Sequence, residues 1–339
     1  MGRESSLEKD LTPKEWEHMF AMAKQQTLLG VLNAGVHRLP TAQLPPKHLI
    51  ADWDRLTGRI AEIYTRHEKQ VAELETIFER KGFRACILKG TGLARLYPNP
   101  PLRQCGDIDV WIPGPRKIIL KAFGNEYYVH DIIYQECKVD IFDNTVVEIH
   151  FHPTKMYNPF CNARLQRWLV KHTPVHDNST LTYPDAEFNA IFCMAHMYRH
   201  YLVGGLGLRQ MMDYYYVLRE LPAAGRGPAM RTLKRFGMGR FAAAAMMALQ
   251  FNFGLEDEYL LCEPDQKRGR RLIMDMIEMG NFGVLDRRNH GKEKESKFSR
   301  FIRKNHRSFS YFRLYPHEIF WAPFSRVGQF LWRRFMGYI

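Results

Sequence analysis

The apolar and polar positions divide the chain into a helical stretch, a strand-rich stretch and a second, longer helical stretch. Thr12-Pro13-Lys14-Glu15 predicts a helix start. A threonine cap, proline at the first helical position and glutamate three residues after the cap satisfy its free amides. After Pro45-Pro46, residues Lys47 to Lys81 have helical composition without proline, and Gly82 is placed to stop them. The pattern changes at Phe83. FRACIL predicts a short strand, TGLARLY the start of a short helix broken by Pro98, Pro100 and Pro101, and DIDVWI a second strand. VVEIHFH alternates, with Val147, Ile149 and Phe151 on one face and Glu148, His150 and His152 on the other. From about Tyr157 helix returns, DAEFNAIFCMAHMYRHYL and LRQMMDYYYVLREL flanking a glycine-rich turn, and continues to about Gly280. The expectation is an α+β fold in four parts: a helical region 1–82, an α/β core 83–156, a helical domain 157–285 and a C-terminal segment 286–339.

The strand DIDVWI poses an electrostatic problem. Side chains at i and i+2 share a strand face, so Asp107 and Asp109 stand together while Ile108, Val110 and Ile112 point into a core. Two adjacent carboxylates repel unless a cation compensates them. The strand-to-helix turn Lys89-Gly90-Thr91-Gly92 presents backbone amides that suit a phosphate, although many such turns contain glycine. With Glu148 on a later strand, three carboxylates can hold two magnesium ions, orient a nucleoside triphosphate and stabilise an in-line displacement at phosphorus.

Composition narrows the class. The chain has 339 residues, 45% hydrophobic, in keeping with a soluble globular protein. No apolar run is long enough to span a bilayer, and the polar start MGRESSLEKDLTPKEW lacks a signal-peptide core, so the expected compartment is the cytoplasm. Six scattered cysteines without a CxxC pair read as reduced thiols. The net charge of +13 is uneven: from Arg287 to Ile339, 13 Lys/Arg stand against 3 Asp/Glu.

LKGTGLARLY, LRQCGDIDVWI and VEIHFH together resemble the polymerase-β-type nucleotidyltransferase superfamily, in particular a bacterial family of uncharacterised nucleotidyltransferases. WEHMFAMAKQQTLLGVL, HMYRH, GLRQMMDYYYVL, MGNFG and YPHEIFWAP extend the resemblance over most of the chain. It implies a small mixed sheet embedded in helices. It also implies transfer of a nucleoside monophosphate from an NTP, ATP being the expected donor, to a hydroxyl or phosphate, with release of pyrophosphate. Gly90 and Thr91 would take the place of the superfamily's Gly-Ser pair beside the triphosphate. Asp107 and Asp109 would bridge the Mg2+ ions, and Glu148 would be the third carboxylate. Lys89 and Arg103 lie near enough to meet phosphate oxygens. Two features depart from the superfamily: a long Thr91–Asp107 gap, and little helix between Ile112 and Glu148, where RKIILKAF is the one candidate. Asp140, in KVDIF, therefore rivals Glu148.

The remaining signals are less specific. His150 and His152 share the Glu148 face and His196 and His200 a helical face, spacings that allow a transition-metal site, but Met197 stands where a zinc protease needs glutamate, which makes a His-metal hydrolase a distant alternative. Arg209 and Asp213 have the spacing of an intrahelical ion pair. The tyrosines at 214–216 and the methionines around Met246 read as packing residues. The basic, aromatic C-terminal segment suits an anionic membrane surface, a partner, nucleic acid or a solvated helix. It carries none of the proposed ligands and is expected to be separable from the chemistry, with Arg326, Arg333 and Arg334 facing the anionic surface. The principal alternative to an enzyme is a nucleotide-binding or regulatory protein that keeps the fold without turnover.

Overall fold

The computed structural model describes residues 6–174, 179–280 and 297–338. Of the segments quoted above, the MGNFG match from Asn281 onward and residues 286–296 of the basic segment lie outside them.

The N-terminal helices are α1 (Pro13–Gln25), α2 (Leu29–Val36) and α3 (Lys47–Lys81). The capping box forms as expected: Glu15 N donates to Thr12 Oγ1 at 3.3 Å and Thr12 N to Glu15 Oε2 at 2.8 Å. Trp16 and Trp53 meet edge to face at 6.4 Å in a small core, and the Trp53 indole donates to Leu29 O. Gly82, at φ +70°, ends α3 in the left-handed conformation.

The core is a six-stranded mixed sheet, β1 (Ala85–Ile87), β2 (Ile108–Trp111), β3 (Val129–His130), β4 (Glu136–Phe142), β5 (Thr145–His150) and β6 (Leu181–Thr182), in the order β3-β4-β5-β2-β1-β6. The short α4 (Thr91–Ala94) follows β1, and α5 (Arg116–Gly124), the helix within RKIILKAF, follows β2. Strands β2 and β5 run parallel, whereas β1–β2 and β4–β5 are antiparallel. Alternation divides the sheet. Val110, Val147 and Ile149 pack on one face against Leu74 and Phe78 of α3 and Phe123 of α5.

The other face is roofed by a helical body. It comprises α6 (Pro159–Lys171), α7 (Ala186–Val203), α8 (Leu208–Glu220), α9 (Ala223–Arg235), α10 (Gly239–Phe253) and α11 (Gln266–Met279). Trp111 reaches into this body and stacks on Phe188 of α7 at 5.9 Å. Asp109 and Glu148, on the same face as Trp111, are thereby enclosed between sheet and helices rather than left at a solvent-facing edge.

The chain ends in α12 (Lys297–Phe309), α13 (Pro316–Ile319) and α14 (Ala322–Phe335). These helices are fastened to the body. The buried Glu318 accepts the amides of Tyr157 and Asn158. Arg326 donates to Tyr157 Oη at 3.0 Å, Ser308 Oγ at 2.6 Å and Asn305 Oδ1 at 2.5 Å. Arg326 therefore does not face an outside surface as the charge pattern suggested: three acceptors from its own chain hold it inward. All six cysteines are free, and among the described residues no helix is long and apolar enough to cross a membrane.

Candidate active site

Parallel pairing places Asp109 beside Glu148 in direct register, and antiparallel pairing places Glu136 beside His150. Four acidic or imidazole side chains thus share one sheet face at adjacent positions. Asp107 precedes β2 and joins them at the rim of a cavity of about 260 Å³. Lys89, Gly90, Asp107, Asp109, Glu136 and Glu148 form its sheet side, and His196, Arg199 and His200 of α7 with Arg209 of α8 form its helical side. One wall is acidic and the other basic.

The turn after β1 is shaped by close approach. Gly90 adopts φ +56°, ψ −119°, a conformation strained for other residues, and a Cβ there would sit a tight 3.1 Å from Asp107 O. Thr91 is buried behind it, its hydroxyl without a hydrogen-bond partner. Lys89 Nζ reaches Asp109 Oδ1 at 2.6 Å. The same oxygen is 2.8 Å from His150 Nε2, while His150 Nδ1 lies 3.3 Å from Glu136 Oε2.

The charges do not balance. Burial opposes ionisation of Asp109, but the Lys89 ammonium and the His150 hydrogen bond outweigh it and hold this carboxyl well below the usual range. The ionised Asp109 raises Asp107, with burial adding to the effect. Glu148 is pushed up to about 7, by burial and then by Asp109, Glu136 and Asp107. For His150 burial favours the neutral ring, yet Asp109 and Glu136 raise its affinity for a proton. On the opposite wall, burial and neighbouring cations hold His196 well below its ordinary range and His200 down to about 3, so both are neutral.

This donor set fits a divalent cation. Asp109, Glu148 and His150 offer ligand atoms that all lie within 4.8 Å of one another, and Asp107 lines the same cavity. Four carboxylates crowd this wall, and the raised proton affinity of Asp107 and Glu148 marks a mutual repulsion that a metal ion relieves.

Arg103 is more tightly engaged than its sequence position suggested. Its Nε and Nη2 bind Asp213 Oδ1 and Oδ2 at 2.7 and 2.8 Å, and Tyr97 Oη donates to the same carboxylate at 2.7 Å. Asp213 thus pairs across the fold with Arg103, while Arg209, which also acts on Asp213, donates to Gln104 O. Asp140 stands apart, exposed and 3.1 Å from His130. His152 follows the end of β5 and stacks on Tyr134 at 4.8 Å, so it does not share the Glu148 face.

A protein-family model described as uncharacterised nucleotidyltransferase matches residues 12–254. The chain belongs to this nucleotidyltransferase family. The match spans the sheet, both cavity walls and the Arg103–Asp213 pair, and the mixed α+β architecture agrees with it. The protein is thus a transferase whose general reaction is nucleotidyl transfer. No curated protein and no solved structure matches the chain.

Among the charged residues lining the nucleotidyltransferase's cavity, sequence reasoning passed over Arg199 and Glu136. Arg199 was within reach: three residues after His196 and one before His200, it lies on their helical face. Glu136 lies on a strand whose pairing the sequence does not reveal.

Proposed function

We propose that this nucleotidyltransferase transfers a nucleoside monophosphate from a magnesium-bound NTP, with ATP the expected donor, to a hydroxyl or phosphate oxygen of an acceptor, releasing pyrophosphate. The observation that carries this reading is the in-register pair Asp109 and Glu148, with Asp107 at the rim of the same cavity. Asp107, Asp109 and Glu148 would hold the metal. Mg2+ bound there supplies neutralisation of the triphosphate and activation of the acceptor oxygen. Gly90 of the Gly90-Thr91 turn lines the cavity where the resemblance places the triphosphate, and Lys89 carries positive charge to the same edge. Glu148 takes the acceptor's proton as the acceptor oxygen bonds to the α-phosphorus and the bond from that phosphorus to the pyrophosphate oxygen breaks. His150 fixes the Asp109 carboxylate from behind. Arg199 faces the acidic wall as a counter-charge for a phosphate crossing the cavity.

The test is pyrophosphate release from each NTP with Mg2+ in the presence of sugar phosphates, small alcohols, protein hydroxyls or RNA ends. Metal-dependent release with one acceptor class supports the reading. Nucleotide binding without turnover under every combination would favour a regulatory protein that keeps the fold.

A further inference from the structure

The last helix is inverted relative to an ordinary surface helix, which turns its apolar side inward and its polar side to water. On α14 the polar side faces the protein. Gln329 accepts from Lys155 Nζ at 2.7 Å, Arg326 is held by Tyr157, Ser308 and Asn305, and Trp332 lies under the Arg116 guanidinium at 4.6 Å. The outward side carries Phe324, Val327, Leu331 and Phe335, spaced three, four and four residues apart, the repeat of one helical face, and Phe320 just before the helix extends it. Their exposures are 60, 44, 57, 89 and 53%. A continuous apolar ridge of this kind marks a surface that something covers.

Charge selects what covers it. From Lys297 to Ile339 the sequence holds nine Lys/Arg and a single acid, Glu318, which is buried against two amides; Lys304, Arg313 and Arg334 are exposed, whereas Arg307 is buried and Arg326 turned inward. Arg334 lies exposed on α14 itself. A second copy would bring this basic surface against itself, whereas anionic lipid complements both its charge and its aromatic, apolar ridge. We propose that the outward face of α14 is a membrane-docking surface, lying in the headgroup plane of an anionic bilayer with the ridge entering the acyl boundary. The polar inner face anchors the helix, so docking requires no unfolding of the body. This surface is independent of the nucleotidyl-transfer reading, because no ridge residue lines the candidate active site.

Co-sedimentation of the full chain with vesicles of phosphatidylcholine, with and without phosphatidylglycerol, tests it. Wild type is expected to pellet with the anionic vesicles and to be partly released by salt. Leu331→Gln with Phe335→Gln should lower partitioning more than about tenfold at unchanged thermal unfolding, since two exposed apolar side chains are removed. Arg334→Gln should lower it about fivefold at low salt and less at high salt. Wild type that ignores both vesicles would overturn the proposal. So would variants that bind as wild type, or a ridge variant that instead converts a dimer to a monomer in analytical ultracentrifugation.

Discussion

Two buried charge clusters meet at the cavity, and they differ in whether their charges close. In the first, Arg103 grips both oxygens of Asp213 and Tyr97 completes the shell, so one cation, one anion and their hydrogen bonds account for each other. In the second, Asp107, Asp109, Glu136 and Glu148 crowd together, with Lys89 and His150 in direct contact and Arg199 and Arg209 on the facing wall. Burial is costly for both. The first meets that cost within the chain and ties α8 to the loop leading into β2. The second leaves a deficit, expressed in the raised affinity of Glu148 and Asp107 for protons, that an external cation is suited to fill. A closed cluster accounts for its own charges, whereas an open one has room for a partner.

The largest effect is expected at the open cluster. Asp109→Asn keeps the shape of the side chain but removes the charge that Lys89 and His150 converge on. Metal-dependent pyrophosphate release should fall by about 10³-fold or more while the variant still folds, as circular dichroism can check. Asp107→Asn should behave similarly. Turnover at the wild-type rate in both variants would break the assignment of this cluster as the metal site.

At the closed cluster the consequence should be structural. Arg103→Leu strands the Asp213 carboxylate among buried groups and should cost about 3–5 kcal/mol in urea unfolding. The double variant Arg103→Leu with Asp213→Leu should recover part of that loss, because it removes both charges together. If Arg103→Leu instead keeps its stability and loses turnover, Arg103 belongs with the phosphate-binding residues, where its place in the sequence first put it.

The open cluster was half legible in the sequence, for reasons tied to pairing. Asp107, Asp109 and Glu148 announced themselves because acids interrupt apolar strands, and Gly90 because a glycine turn joins strand to helix. The Thr12 cap and the Gly82 stop are local, and both appear where the residues predicted. Glu136 depends on register. The turn after Phe142 pairs Phe142 with Thr145, but a one-residue shift between Val139 and Phe142 then sets Val139 opposite Val147 and Glu136 opposite His150. Counting back from the turn without that shift would put Cys137 opposite His150 instead. The Arg103–Asp213 pair joins residues 110 positions apart, so the local spacing of Arg209 and Asp213 could not reveal it. For Arg326, the sequence displays its charge but not the three acceptors that turn it inward.

Glu318 is an intermediate case, a buried carboxylate with no cation but with two amides. Burial pushes its pKa up to about 7 in spite of the Tyr157 and Asn158 hydrogen bonds that favour ionisation. Its folded-state value thus lies above the ordinary 4.5, so the folded chain holds the proton more tightly than the unfolded chain. The contribution to stability is fully present below about pH 4.5 and is lost as pH rises through about 7, amounting to about 1–3 kcal/mol across the window. Glu318→Gln should flatten this part of the profile of unfolding free energy against pH. Matching slopes for wild type and variant would place the titration elsewhere.

The smallest effect is expected at Asp140, which tests whether an acid on the sheet matters by its sign or by its setting. Asp140 and Glu148 lie on paired strands, and sequence alone made them rivals for the third position. Their surroundings differ. Glu148 is enclosed with Asp109 and lines the cavity, whereas the Asp140 side chain is 58% exposed and its neighbour is His130 at 3.1 Å. An ion pair in water contributes little, because solvent screens it and two mobile side chains must be held together. Asp140→Asn should therefore leave pyrophosphate release within about twofold of wild type and stability within about 0.5 kcal/mol. Glu148→Gln, assayed beside it, should lose most of the turnover. A reversal, with Asp140→Asn inactive and Glu148→Gln active, would show that the open cluster is completed from β4 and that the in-register pairing of Asp109 with Glu148 is only structural.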